Sequence, residues 1–472
     1  MGNGIKPRRN ARGRLAMRRG RLNLLLSRHL SPERIFILSF AGVILAGGLL
    51  LWFPFSAATT QLPWIDALFQ SASAVCVTGL ATIDVGLDLS LTGQIVLICL
   101  FQVGGLGILT FSAVFFLILG RGMASKEHDI IQSAFLYAPR RDLAPILKFI
   151  VISTLLYEGA GTLLLWTRFS RDFPWSEALF KAVFHAISAF NNCGFTLFSD
   201  SLMSYQGDPI VNLTVMALIV AGGIGFLVHY ELHMRVWGKH KRLSVHTKVV
   251  LIATGVLIVG GAVLFFMFES DRILKGLPWQ NRLLASMFQS ITPRTAGFNT
   301  VDIGMLSNET ILLMIILMFI GASPGSTGGG VKTTSASLLF LIMWSRLRGR
   351  EEVNVFNRTI PRELLQRTIS ITLVSSLSIL VVTSILLLSA YEPLHPTASR
   401  HLFVEYLFET VSAFGTVGLS MNLTPSLTTL QKLAIIVMMF AGRVGPLTLA
   451  FSLARMTAKR GFAYAEEGVM VG

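Results

Sequence analysis

VCVTGLAT at 75–82, NNCGFTL at 191–197, RTAGFNT at 294–300 and GTVGLSM at 415–421 are four short stretches, each built around one glycine: Gly79, Gly194, Gly297 and Gly418, about 100–120 residues apart. Each follows an apolar segment of about ten to fifteen residues with helical spacing. Such a segment is too short to cross a bilayer core, which needs about 20 helical residues. Three of the segments open alike, with Leu62-Pro63-Trp64, Phe173-Pro174-Trp175 and Leu277-Pro278-Trp279. The fourth, VEYLFETVSAF from Val404, lacks the Pro-Trp. Proline is tolerated at a helix start, where its missing N–H has no intrahelical partner to lose. Tryptophan suits a membrane interface. One such stretch carries little weight, because Gly and Phe are common in membrane proteins. Four in register are a repeat, and a repeat sets the fold.

Long apolar runs flank each short segment, at about 35–53, 93–120, 144–167, 209–232, 247–268, 309–343, 367–390 and 429–456. The predicted fold is therefore an all-α integral membrane protein. Four span–pore-loop–span repeats, with eight transmembrane helices and four re-entrant half-helices, surround a central pore. Repeat 1 covers 33–120, repeat 2 covers 121–234, repeat 3 covers 235–345 and repeat 4 covers 346–456. A basic segment, 1–32, precedes them and a tail, 457–472, follows.

Composition agrees. The 472 residues are 53% hydrophobic and only 14% charged, against about 25% charged in soluble proteins. The net charge of +15 raises nucleic acid as a partner, but the placement of the charge argues against it. Ten Lys/Arg fall in 1–34, and 121–148, 235–248, 346–367 and 455–460 hold 5, 5, 6 and 3. The stretches between, on the other side, hold eight, and 54–92 holds none. This follows the positive-inside rule and puts both termini in the cytoplasm. The run from Ile35 reads as a retained span, not a cleaved signal. Cys76, Cys99 and Cys193 have neither metal-site nor disulfide spacing.

Irregular backbone at membrane depth is tolerated only inside protein or along a watery cavity. A half-helix that stops midway must then be followed by chain that lines a pore. Carbonyl oxygens there can replace an ion's hydration shell, and half-helix C-termini add partial negative charge. The four stretches contain no acidic side chain, which favours a weakly hydrated monovalent cation over calcium. The candidate ion-binding residues are Val77, Thr78 and Gly79; Asn192, Cys193 and Gly194; Thr295, Ala296 and Gly297; and Thr416, Val417 and Gly418.

A second feature is GASPGSTGGGVKTT, Gly321–Thr334, inside the apolar run of the third repeat. With five glycines and one proline, 321–330 cannot hold a regular helix, since each Gly costs about 1 kcal/mol and Pro about 3. Two separate spans are excluded because each half is too short to cross. An intramembrane loop remains, with Gly321, Ser323, Pro324, Gly325, Gly328, Gly329 and Gly330 as its key residues. Lys332 at its edge interacts with the cytoplasmic pore mouth or only snorkels to that interface. Arg443, in AGRVGPL, stands mid-span, where an arginine costs at least about 2.5–3.5 kcal/mol and is functional by default. The corresponding motifs in the other second spans are VGGLG, AGGIG and GASPG. Arg443 is expected to project into the pore or pair with the loop; a purely structural arginine held by carbonyls is the alternative. Gly104–Gly107 and Gly222–Gly225 read as helix-packing sites, and Glu158 and His185 as hydrogen-bonded structural groups.

These residues resemble the Trk/Ktr/HKT superfamily of potassium transporters over about 33–456, most strongly in RTAGFNT and GASPGSTGGGVKTT. Eight spans without an added N-terminal pair look like the Ktr-type membrane subunit. The resemblance implies potassium as substrate, with sodium coupling open and no cofactor bound by this chain. It implies that 321–330 is a gate, and that Gly79 favours potassium, since sodium-preferring members often carry serine there. It also implies a homodimer and a cytoplasmic nucleotide-binding regulatory ring in a bacterial inner membrane. The basic loops would dock that ring or anionic lipid. A solute carrier with two inverted repeats fits the four parallel repeats poorly. An intramembrane enzyme lacks a paired catalytic cluster.

Overall fold

The computed structural model describes residues 32–119, 143–238, 242–389 and 399–445. The basic N-terminal segment, most of the 121–148 loop and everything from 446 on lie outside the described residues. Within them the chain is helical. Repeat 1 contains α1 (Pro32–Trp52), α2 (Trp64–Val75) and α3 (Leu91–Leu119). Repeat 2 contains α4 (Leu143–Phe169), α5 (Trp175–Phe190), α6 (Pro209–Gly223) and α7 (Phe226–Val236). Repeat 3 has α8 (Val245–Glu269), α9 (Trp279–Ile291), α10 (Asn308–Phe319) and α11 (Thr333–Leu347). After a two-residue β-hairpin, Asn354–Val355 with Arg358–Thr359, repeat 4 has α12 (Arg362–Ser389), α13 (Arg400–Gly415) and α14 (Thr429–Val444).

Pro63, Pro174 and Pro278 each stand just ahead of a short helix, with φ −56°, −55° and −54°. The short helices α2, α5, α9 and α13 form the interior. Phe69, Phe184, Phe288 and Phe408 occupy matching positions in them and are fully buried. The long helices carry apolar residues outward, such as Ile252, Val256 and Val259 on α8 and Leu373, Leu377 and Leu388 on α12. Polar groups collect inside instead: Gln70, Ser73, His185, Ser188, Gln289, Glu409 and Ser412 are all buried. An apolar outside around a polar inside suits a lipid surround. Among the described residues, Lys148–Phe169, Val245–Glu269 and Arg362–Ser389 are each long and apolar enough to cross a membrane.

Two expected spans differ from the structure. The run 209–232 is not one helix: α6 and α7 meet at a 98° bend, where Gly225 takes φ +92°. Gly222–Gly225 thus does more than pack. The run 429–456 begins as α14, but that helix ends at Val444, and Gly445 has φ +94°. Gly325, the counterpart in repeat 3, has φ +70°. Only in repeat 1 does helix α3 run unbroken through the matching Gly107.

The last repeat closes onto the first. Lys432 on α14 reaches Asp66 on α2 at 2.6 Å, and both side chains are only 12% exposed. Breaking a buried pair from one side leaves a stranded charge and costs about 3–5 kcal/mol. Asp66→Asn is therefore expected to lower the melting temperature of the detergent-solubilised protein. The double change Asp66→Leu with Lys432→Leu is expected to lower it less.

Candidate ion pathway

The four glycines meet. A Cβ built on Gly79 would land on the carbonyl oxygen of Cys193, and one on Gly194 would meet that of Ala296 at 2.6 Å. One on Gly297 would land on the oxygen of Val417, and one on Gly418 on that of Thr78. Each glycine therefore abuts the next repeat, and the order closes into a ring of four. All four have positive φ, +91°, +77°, +79° and +92°, so glycine is needed for conformation as well as space.

The backbone repeats with equal regularity two residues earlier. Val77, Asn192, Thr295 and Thr416 have φ 56°, 57°, 71° and 49°. Left-handed backbone is rare for β-branched residues and costs on the order of 1–3 kcal/mol each. Thr78, Cys193, Ala296 and Val417, between these positions and the glycines, do not have positive φ. Their carbonyl oxygens lie against the glycines of the neighbouring repeats. Strain placed identically four times marks a shape that the fold imposes.

Hydroxyls behind the ring hold this shape. Ser73 Oγ accepts from Gly79 N at 3.0 Å, and Ser412 Oγ from Gly418 N at 3.1 Å. Ser188 Oγ donates to Phe195 O at 2.8 Å, and Thr292 Oγ1 to Phe298 O at 2.5 Å. The residue after each buried phenylalanine braces the outgoing segment in three repeats. His185 Nε2 accepts from Leu197 N at 3.4 Å, Gln289 Nε2 donates to Thr300 Oγ1 at 3.3 Å, and Glu409 accepts from Ser420 Oγ at 2.8 Å. Glu158 accepts from Gln102 at 3.0 Å and from Asn191 at 3.2 Å, behind the second segment. Repeat 3 departs from the pattern. Phe288 precedes its glycine by nine residues, whereas Phe69, Phe184 and Phe408 precede theirs by ten. Its loop accordingly closes one residue tighter: Ala296 N donates to Thr292 O, whereas Thr78 N, Cys193 N and Val417 N reach Ser73, Ser188 and Ser412.

The 321–330 segment lies against the same ring. Its base is pinned by Gly321 N donating to Val331 O at 2.9 Å and by Ser323 Oγ meeting Thr333 Oγ1 at 2.9 Å. It docks on the α6–α7 bend. Ser323 N donates to Gly223 O at 3.0 Å, Thr327 N to Gly222 O at 3.3 Å, and Phe226 N to Gly325 O at 2.9 Å. The bend thus frees helix carbonyls that the loop then satisfies. Gly225 also leaves room for Pro324, whose oxygen would lie 2.6 Å from an added Cβ. At the far end, Gly328 packs on Thr295 and Gly329 on Thr416, and Gly330 approaches Gly415. Lys332 turns back on the loop, donating to Gly328 O at 2.7 Å.

Arg443 is 3% exposed. Its guanidinium donates to Thr327 O in the loop and to Gly104 O on α3, with Gly105 O at 3.4 Å. One side chain from repeat 4 thus bridges the loop of repeat 3 to repeat 1. The pairing is with backbone carbonyls, which joins the loop-pairing and carbonyl-bound readings of this residue in one geometry.

Ring, loop and apolar exterior together belong to a helical protein suited to a membrane. The chain belongs to the TrkH family of cation transport proteins, whose family model matches residues 35–460. It is 38% identical over 444 residues to "Ktr system potassium uptake protein B" of Bacillus subtilis, covering 94% of this chain and 97% of that protein. It is 36% identical to "Potassium/sodium uptake protein NtpJ" of Enterococcus hirae, covering 94% and 98%. The crystal structure of the potassium transporter TrkH from Vibrio parahaemolyticus shares the fold, with a TM-score of 0.70 at 20% identity, covering 90% of this chain and 86% of that one.

Proposed function

We propose that the chain carries potassium across the cytoplasmic membrane through the four-glycine ring, with 321–330 as its gate. The observation that carries this reading is the closed order Gly79–Gly194–Gly297–Gly418, in which one carbonyl oxygen from each repeat lies against the glycine of a neighbouring repeat. Carbonyls so placed replace water around a dehydrated monovalent cation. The Bacillus and Enterococcus relatives are named for potassium uptake, and the second also for sodium. Sodium therefore enters as a coupled or competing ion. Eight spans with both termini cytoplasmic give the four short helices a common entry side. The basic loops facing the cytoplasm suit anionic lipid and a nucleotide-binding regulatory ring, the partner that the "Ktr system" name of the relatives suggests. A homodimer completes this assembly. Rubidium uptake by liposomes containing the purified chain, with and without sodium, tests the function. Uptake no faster than in protein-free liposomes, with and without sodium, rejects it.

The gate reading is supported by the loop's contact with Thr295 and Thr416 under the ring and by the Arg443 bridge. Arg443→Ala removes the bridge, and basal rubidium flux is expected to rise several-fold at equal membrane expression. Arg443→Lys is expected to rise as well, because one ammonium cannot reproduce the forked contact. Lower flux in both variants at normal expression contradicts the bridge as a closing element.

A further inference from the structure

Two of the residues under the ring touch the loop, and one is bonded to it. Gly329 N donates to Thr416 Oγ1 at 2.9 Å, with both groups buried. Gly329 is wedged there, since an added Cβ would contact both Oγ1 and Cγ2 of Thr416 and lie 3.2 Å from Gly442 O. Thr416 ends α13 in the left-handed region, φ 49° and ψ 53°, and its own amide bonds to Ala413 O and Ser412 O. Its hydroxyl is thereby left to serve the loop. The counterpart in repeat 1 is Val77, which has no hydroxyl.

We propose that Thr416 is a latch, a positioning residue through which the closed loop and the fourth segment of the ring hold each other. This rests on 321–330 being the gate. When the loop leaves, Gly329 N loses its acceptor and Thr416 loses the contact beneath it. Opening and ring geometry are then linked, and the linkage is reciprocal: whatever settles the fourth segment also settles the loop.

The test compares Thr416→Val with Thr416→Ser, which differ in the hydroxyl, by rubidium flux into liposomes from the purified full chain. Leaving a buried N–H unpaired disfavours the closed loop, so the valine variant is expected to pass about tenfold more basal flux than the serine variant. In chains that also lack 321–330, that ratio is expected to fall to about one. A ratio near one in the full chain, while the deletion itself raises flux, overturns the latch and leaves the gate standing. An equal ratio in both backgrounds also overturns it, because Thr416 then acts on permeation alone. A deletion that does not raise flux overturns the gate and the latch together. If the valine variant does not reach the membrane, Thr416→Cys against Thr416→Ser makes the same comparison, with a thiol as the poor acceptor.

Discussion

Deleting residues 321–330 is expected to raise basal potassium flux more than about tenfold while leaving potassium-over-sodium preference unchanged. The closed loop is held by bonds from Ser323 N, Thr327 N, Gly329 N and Arg443 and by one to Gly325 O. Each contributes about 0.5–1.5 kcal/mol net, and about 1.4 kcal/mol is worth tenfold in a closed–open equilibrium. Preference stays because the ring carbonyls belong to other segments. Ile320 and Val331, the residues that flank the deletion, are already bridged at the base of the loop, so a short connection can rejoin α10 to α11. Flux measured beside membrane abundance checks this. Wild-type flux from a normally inserted deletion chain means that the segment is not the gate.

Serine at the ring glycines is expected to lower potassium-over-sodium preference about tenfold or more. At Gly79 the new Cβ would occupy the place of the Cys193 carbonyl oxygen, and the positive φ adds about 1–3 kcal/mol of strain. Gly194→Ser and Gly418→Ser meet the Ala296 and Thr78 oxygens in the same way. Gly255→Ala is the control. It lies in α8 with nothing within 4 Å of an added Cβ, and its preference is expected to match the wild type. Competition of sodium against rubidium uptake reads all four. Unchanged preference in the three serine variants rejects the ring as the selective element.

The short helices and the ring glycines were legible because their local signals recur, the Pro-Trp start in three repeats and the phenylalanine and glycine in all four. A Pro-Trp start, a buried phenylalanine and a single glycine have little meaning once and a definite one in register. The loop was legible because its composition forbids a helix. The bend before α7 was not. AGGIG at 221–225 breaks the chain, whereas VGGLG at 103–107 continues it, and the two differ only in Ala221 for Val103 and Ile224 for Leu106. What separates them is tertiary: the loop's N–H groups are waiting at Gly222 and Gly223. The Asp66–Lys432 closure joins residues 366 positions apart, and nothing local to either residue points to the other. The missing residue between Phe288 and Gly297 was countable in the sequence, and only the altered hydrogen bonding of Ala296 gives it meaning.

The most direct test of the central claim is anomalous diffraction from crystals of this protein grown in rubidium or thallium. Density is expected on the axis of the ring, within coordination distance of the carbonyls of Thr78, Cys193, Ala296 and Val417. Ions bound elsewhere in a protein that transports rubidium, with the ring axis empty, contradict it.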